Sequence, residues 1–196
     1  MTSSTAPANP CEQALVRWCE RHAPAPHKVA VAYSGGADST ALLLAAHRRW
    51  PGRVVALHVH HGLQVAADDF ETHARRFCER HGIALQVQRV QAAHSAGQSP
   101  EDAARLARYA ALTEMAQTEA AGWVLLGQHA DDQAETLLLA LSRGAGLPGL
   151  ASMPESIERD GVCFGRPLLD VPASALRTWL LSEGHAFVDD PSNTDT

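Results

Sequence analysis

KVAVAYSGGADSTALLL, Lys28 to Leu44, is the stretch whose reading decides the fold. Lys28–Tyr33 is almost wholly apolar, and Val29, Val31 and Tyr33 are β-branched or aromatic, as suits a strand buried on both faces of a parallel sheet. Gly35 and Gly36 let the backbone turn sharply and approach a ligand with no Cβ in the way. Asp38, Ser39 and Thr40 suit the first turn of a helix, where oxygens and carboxylates favour unpaired N–H groups. Leu42, Leu43 and Ala46 can then pack that helix on the sheet. Strand, turn and helix N-terminus together aim a ring of backbone N–H donors at one place, which makes an anion site. The pattern is neither GxxxxGK[ST], which needs a lysine absent here, nor GxGxxG.

Around this stretch the residues alternate between strand and helix patterns. Pro10–His22 reads as a short helix with Leu15, Trp18 and Cys19 on one side, after a lead-in expected to be disordered; residues 1–26 stand apart from the domain proper, 27–196. Arg53–Val59 is a second apolar strand, Ala67–His81 an amphipathic helix, and Ala84–Val90 a third strand. Ser99 and Pro100 open a long helix to about Ala121, in which Glu101 and Arg105 stand one turn apart as an ordinary ion pair. Trp123–Gly127 is a fourth strand. The helix after it carries Ala134, Leu137, Leu138 and Leu141 as its expected buried stripe. Ile157–Phe164 reads as a hairpin around Asp160-Gly161, Pro172–Glu183 as a helix, and Ala186–Val188 as a last short strand. The order predicts an α/β fold: a doubly wound, five-stranded parallel sheet with helices on both faces.

The totals narrow the function classes. At 196 residues, 45% hydrophobic, the chain supports one domain with a sizeable core. A formal charge of −6 argues against a free-standing nucleic-acid binder, though patches matter more than totals. Cys11, Cys19, Cys78 and Cys163 form no CxxC pair, so neither a disulfide framework nor a zinc ribbon is indicated and a reducing cytoplasm is the default. No apolar run approaches a membrane span, and MTSSTAPANP has no signal-peptide pattern.

Candidate site residues gather at the carboxyl ends of the strands, where open α/β sheets bind ligands. His58, His60 and His61 end the second strand. A zinc reading of them lacks a nearby cysteine or carboxylate to complete it, and hydrogen-bonded strand-end histidines are the simpler account. Asp131, Asp132 and Glu135 share one side of a helix N-terminus. Capping explains acids there, but three exceed what a cap requires and suit Mg²⁺ or a cationic amine. Arg143 begins a loop with three glycines and a proline, RGAGLPGL, that reads as a lid.

Ser34–Ser39 resembles the SGGxDS motif of the PP-loop ATP pyrophosphatases, of the adenine nucleotide alpha hydrolase-like fold. These split ATP between its α and β phosphates to activate an oxygen as an adenylate. The ordered set SGGADS, HVHHGL, EDAARLARY, GQHADDQAET, RGAGLPGL, RPLLD and DDPSN is similar to the tRNA(Ile)-lysidine synthase family from Lys28 almost to the last residue. SGGxDS alone leaves open GMP synthetase, NAD synthetase and the tRNA sulfur-transfer enzymes; the later blocks favour the lysidine family. The resemblance implies ATP at Ser34, Gly35, Gly36, Ala37, Asp38 and Ser39, with Mg²⁺ on Asp38, His60 near adenine and ribose, and Arg108 on the phosphates. It implies catalytic roles for Asp38, Asp131, Asp132 and Glu135, and contacts to free L-lysine or tRNA from Asp132, Glu135 and Arg143. The implied partner is the isoleucine tRNA with a CAU anticodon; a homodimer is neither implied nor excluded. Family members continue past DPSN into tRNA-holding domains, so a chain ending at Thr196 is expected to bind ATP but modify tRNA poorly. Rivals are another adenylating enzyme on this scaffold, thiolating or amide-forming, and a non-catalytic nucleotide sensor.

Overall fold

The computed structural model describes residues 9–22, 27–60, 65–90, 99–142, 144 and 152–188. In chain order the elements are α1 (Pro10–His22), β1 (Val29–Ala32), α2 (Ala37–Arg49), β2 (Val54–His60), α3 (Val65–His81), β3 (Ala84–Arg89), α4 (Pro100–Thr118), β4 (Trp123–Leu125), α5 (Ala130–Ser142), β5 (Ser156–Arg159), β6 (Val162–Gly165) and α6 (Ala173–Ser182). The sheet runs β3-β2-β1-β4-β6-β5, with every neighbouring pair parallel except β5 with β6. Strand order reverses beside β1, so a crevice opens between the carboxyl ends of β1 and β4.

The doubly wound α/β reading holds, with a correction to the strand count: there are six strands rather than five. The hairpin joins the main sheet. Its second strand, β6, is the fifth parallel strand, and β5 adds an antiparallel edge. Ala186–Val188 is not a strand. One bond, the Val188 N–H to the Gly35 carbonyl at 3.0 Å, lays this segment on the glycine turn instead of on the sheet.

Two apolar layers flank the sheet. Val29, Val31 and Tyr33 of β1 and its end face α1, α2, α3 and α6, while Ala30, Val55, Leu57 and Val124 face α4 through Tyr109, Leu112 and Met115. The alternation follows from the strand's period of two. Helix α2 is buried nearly all round, from Ala37 to Ala46, because α1 and α6 cover the side turned away from the sheet. Helix α1 seals the layer with Trp18, 1% exposed, which stands edge-on to Trp123 at 4.9 Å and donates its indole N–H to the Glu155 carbonyl at 3.3 Å.

The expected stripe on α5 is also corrected. None of its residues is buried, and Leu137, Leu138, Leu139 and Leu141 are 39%, 65%, 46% and 51% exposed. The helix is fastened near its first turn, where Gln133 exchanges two hydrogen bonds with the backbone of Met153, and the leucines further along are only partly covered. Arg105 pairs with Asp102 at 2.9 Å; the Glu101 side chain, its expected partner, lies outside the described residues.

Gly165 sits under Trp18, and a Cβ there would come within 2.3 Å of the indole Cζ2. Gly165→Ala is therefore expected to cost about 1–3 kcal/mol through overpacking, read as a lowered urea midpoint at unchanged slope. A midpoint equal to that of the parent would show that Trp18 does not need this gap.

A histidine group between α2, α3 and α6 sets a second expectation. The rings of His81 and His185 lie 5.3 Å apart. Burial pushes His73, His81 and His185 below the ordinary imidazole range, and Arg48 and Arg80 add to it. The folded state thus favours neutral rings, and stability is lost as pH falls through the unfolded value near 6.5. Between pH 7.5 and 5.5 the Tm is expected to fall, at about 2–4 °C for each kcal/mol, and His81→Gln should shrink that fall. An equal fall in the variant would acquit His81.

Candidate active site

A cavity of about 840 Å³ opens at the carboxyl edge, lined by Ser34, Asp38, Ser39, His58, His60, Arg108, Tyr109, Gln128, His129, Asp131, Asp132 and Glu135 among others. Of the sequence-predicted residues that are described, Ser34, Asp38, Ser39, His60, Arg108, Asp131, Asp132 and Glu135 line it, from the end of β1, β2 and the helices α2, α4 and α5, while Gly35, Gly36 and Ala37 form the turn beside it without lining it. His61 and Arg143 lie outside the described residues, as do the lid of 145–150 and the DPSN run.

The turn after β1 is built as an anion cradle. Gly35 has φ +95°, a conformation open to glycine and strained for other residues. Gly36 is the N-cap of α2, and among the described residues no side chain caps that helix, which leaves its first N–H groups for a ligand. Ser34 and Ser39 hold one another, Oγ to Oγ, at 3.0 Å, and Ser39 Oγ donates to the Gly36 carbonyl at 3.1 Å. Their hydroxyls flank the same N–H groups. Gly127, just past β4, closes the crevice from the other side. A Cβ there would stand 3.1 Å from Ser39 N and 3.2 Å from the Asp38 carbonyl carbon.

Asp38 shows the feature expected of a cation ligand. Its Oδ1 is buried without a hydrogen-bond partner among the described residues, and its Oδ2 lies 3.5 Å from His129 Nε2. A buried carboxylate oxygen without a donor is costly unless a ligand satisfies it. Hard oxygen donors beside a phosphate cradle fit Mg²⁺.

His129 went unnoticed in the sequence because it is one histidine in a helix-start motif. It sits among three carboxylates, with Nδ1 at 3.3 Å from Asp132 and 3.8 Å from Asp131, opposite the Asp38 contact. Burial is the largest single influence and lowers its pKa, but the hydrogen bond to Asp38 and the charges of Asp132, Asp38 and Asp131 together raise it above the ordinary imidazole value. The ring therefore takes up a proton more readily than a free imidazole does.

The three acids divide their work. Asp132 Oδ2 accepts the His129 backbone N–H at 2.8 Å, half of a capping box at the start of α5. Asp131 Oδ2 accepts the Ala173 N–H at 2.9 Å and so caps α6. Glu135 has no hydrogen-bond or ion-pair partner among the described residues and remains for a ligand. Arg108 is exposed and likewise unpaired among the described residues. Arg177 of α6 lines the cavity too and was missed, because nothing in the sequence tells which face of α6 meets the site. Arg108 and Arg177 come from helices on opposite faces of the sheet, so they flank the crevice.

The histidines at the end of β2 do not form a zinc centre among the described residues. His58 donates Nδ1–H to the Tyr33 carbonyl at 2.8 Å, and burial lowers its pKa. His60 Nε2 meets Asp68 at 3.1 Å. His60, Asp68 and Glu71 offer ligand atoms close together, but Arg89 and Arg75 already pair with these acids. The cysteines are no better placed for metal or sulfur chemistry: Cys11 and Cys78 are buried, and their thiols are pushed up to about 12.

Comparison with known proteins agrees with this geometry. The model of the PP-loop domain family matches residues 9–196. A tRNA(Ile)-lysidine synthase from Polaromonas naphthalenivorans is 62% identical over 165 residues, covering 84% of this chain and 50% of its own. One from Ralstonia nicotianae is 49% identical over 172 residues, covering 85% of this chain and 37% of its own. The chain thus spans half or less of the length of these relatives. Among solved structures, a U34-tRNA thiolase from Methanococcus maripaludis superposes with a TM-score of 0.75 over 95% of this chain and 67% of that one; at 20% identity the likeness is one of fold.

Gly127→Ala tests the cradle. The added methyl must displace the first turn of α2 by a few tenths of an ångström, because the atoms it meets are backbone. Affinity for inorganic pyrophosphate, measured by calorimetry, is expected to drop about tenfold, or roughly 1.4 kcal/mol, with the far-ultraviolet dichroism intact. Unchanged affinity would remove this turn from the anion site.

Proposed function

This chain belongs to the PP-loop domain family, and we propose that it is the catalytic part of a tRNA(Ile)-lysidine synthase, with residues 27–196 forming the unit that uses ATP. Under this reading the 2-oxygen of the wobble cytidine in a CAU-anticodon isoleucine tRNA attacks the α-phosphate of ATP. The new O–P bond forms as the bond to pyrophosphate breaks. The ε-amine of free lysine then forms a C–N bond at C2, AMP leaves with the oxygen, and the amine gives up a proton. These substrates belong to the cytoplasm.

The observation that carries the proposal is the pairing of an uncapped α2 N-terminus with an orphaned Asp38 oxygen at one cavity wall. Charge grows on pyrophosphate as it departs, and preset N–H donors at Ser34–Ser39 stabilise it without reorganising. Asp38 would hold Mg²⁺, which when bound supplies a Lewis acid to the phosphate oxygens. Arg108 and Arg177 steady the phosphates from either face. His60 lies on the β2 side of the cavity, suited to the nucleoside end of ATP. His129 keeps Asp38 and Asp132 in place and offsets their charge.

Lysine must bring an ammonium group into the same cavity. Glu135 is the acid left without a partner among the described residues, so it takes that group and is the first candidate to accept its proton. Asp131 and Asp132, each with one oxygen used in a cap, add negative potential. Arg143 is assigned to phosphate or tRNA by the family likeness.

Mass spectrometry of a CAU-anticodon isoleucine tRNA incubated with ATP, lysine and the protein is the test. Lysidine is expected in low yield, since the chain spans half or less of its relatives' length, with Asp38→Ala lowering pyrophosphate release about 100-fold or more at unchanged Tm. Pyrophosphate release indifferent to tRNA and lysine would overturn the proposal.

A further inference from the structure

Arg166, the residue after β6, is 6% exposed yet has no carboxylate partner among the described residues. The three hydrogen bonds it makes among the described residues all go to neutral oxygens: Nε to Gln128 Oε1 at 2.7 Å, Nη1 to the Pro154 carbonyl at 2.8 Å, and Nη2 to the Tyr109 hydroxyl at 3.2 Å. Removing a guanidinium from water with no counter-charge is costly. Two of its three partners, Gln128 and Tyr109, line the cavity.

A guanidinium only donates, so it fixes the polarity of whatever it touches. Gln128 must turn its carbonyl oxygen to Arg166, which directs its NH₂ group away. That NH₂ has no partner among the described residues. Tyr109, which accepts from Arg166, has its own hydroxyl proton left to give. Its ring is clamped between Phe164, edge-on at 5.0 Å, and the Arg159 guanidinium at 4.5 Å. The wall beside β4 therefore presents donors, backed by an uncompensated positive charge.

We propose that Arg166 is a positioning residue that makes Gln128 a donor-only reader of a nucleobase edge, selecting adjacent carbonyl-oxygen and ring-nitrogen acceptors, as in cytosine, over an edge with a ring N–H, as in uracil. The assignment rests on the proposed function for the kind of ligand, and on the hydrogen bonds of Arg166 for its polarity. A buried donor rejects a ligand that offers another donor, because both groups are then left unpaired.

The test measures binding without chemistry. The probes are the ribotrinucleotides CAU and UAU, titrated into the 196-residue chain while the Gln128 side-chain amide is followed by ¹⁵N nuclear magnetic resonance. CAU is expected to shift that amide and to bind at least about fivefold tighter than UAU, near 1 kcal/mol. Gln128→Glu keeps, and strengthens, the tie to Arg166 while turning an acceptor to the cavity. It should hold or raise the Tm and reverse the preference towards UAU, a result that a purely structural role for Gln128 does not produce. Arg166→Lys keeps the charge but loses the fork and should bring the two affinities within about twofold. Equal binding by the parent, no binding, or a preference that survives Gln128→Glu would overturn the proposal. Loss of lysidine formation with the CAU preference intact would instead overturn the functional reading and leave this wall standing.

Discussion

The reversal of strand order beside β1 is the constraint on which the rest of the molecule depends. Parallel strands joined by helices must place all their carboxyl ends on one edge, and only where the winding changes direction do adjacent connections leave in opposite directions. Here that gap lies between β1 and β4. The glycine turn falls on one side of it and Gly127 on the other, so close that a methyl on Gly127 meets the backbone of Asp38 and Ser39. The cavity, its donors and its acids are consequences of this approach. Two apolar layers hold the strands that define it, and α1 and α6 are needed because α2 is buried on nearly every side from Ala37 to Ala46.

The local parts of this arrangement were legible in the sequence. A strand, a glycine pair and a helix start are written in consecutive residues, and Ser34–Ser39 announce the turn between them. Four strands and their helices followed from period and punctuation. What was not legible depended on contacts between distant segments. His129, Gln128 and Arg177 look ordinary until topology brings them to one cavity. The leucines of α5 have helical spacing, but spacing cannot say whether anything covers them. Ala186–Val188 has strand composition, yet a single hydrogen bond to Gly35 uses it as a strap. The hairpin was visible, and its pairing with β4 was not, because register is settled by the partner strand.

The acids at the start of α5 show why capping and function resist separation in a sequence. Asp132 and Asp131 both satisfy backbone N–H groups, of His129 and of Ala173, and both line the cavity. A capping carboxylate uses one oxygen and leaves lone pairs on the other. Glu135, one turn further on, is past the reach of any free N–H, so its charge has no structural duty among the described residues. Position within the helix start sorts three similar side chains into two that build the site and one that is left to meet a ligand.

The same logic extends to stability. A side-chain cap on α2 would contribute about 1 kcal/mol, and a partner for Asp38 Oδ1 would remove a desolvation penalty of about 1–3 kcal/mol. Arg166 keeps a buried charge against neutral oxygens. Each is a local departure from the lowest energy of the bare fold, and all three lie along one edge of the sheet. The other buried side-chain atoms without a hydrogen-bond partner among the described residues, the Tyr33 hydroxyl, His129 Nδ1 and His73 Nε2, belong to cavity-lining residues or to a ring beside Gly35, whereas His58 and Thr113 are bonded. Departures scattered through the fold would speak only of marginal packing. Gathered on one wall, they favour a ligand that brings anions to α2 and acceptors to Gln128, because that ligand restores what the bare protein lacks.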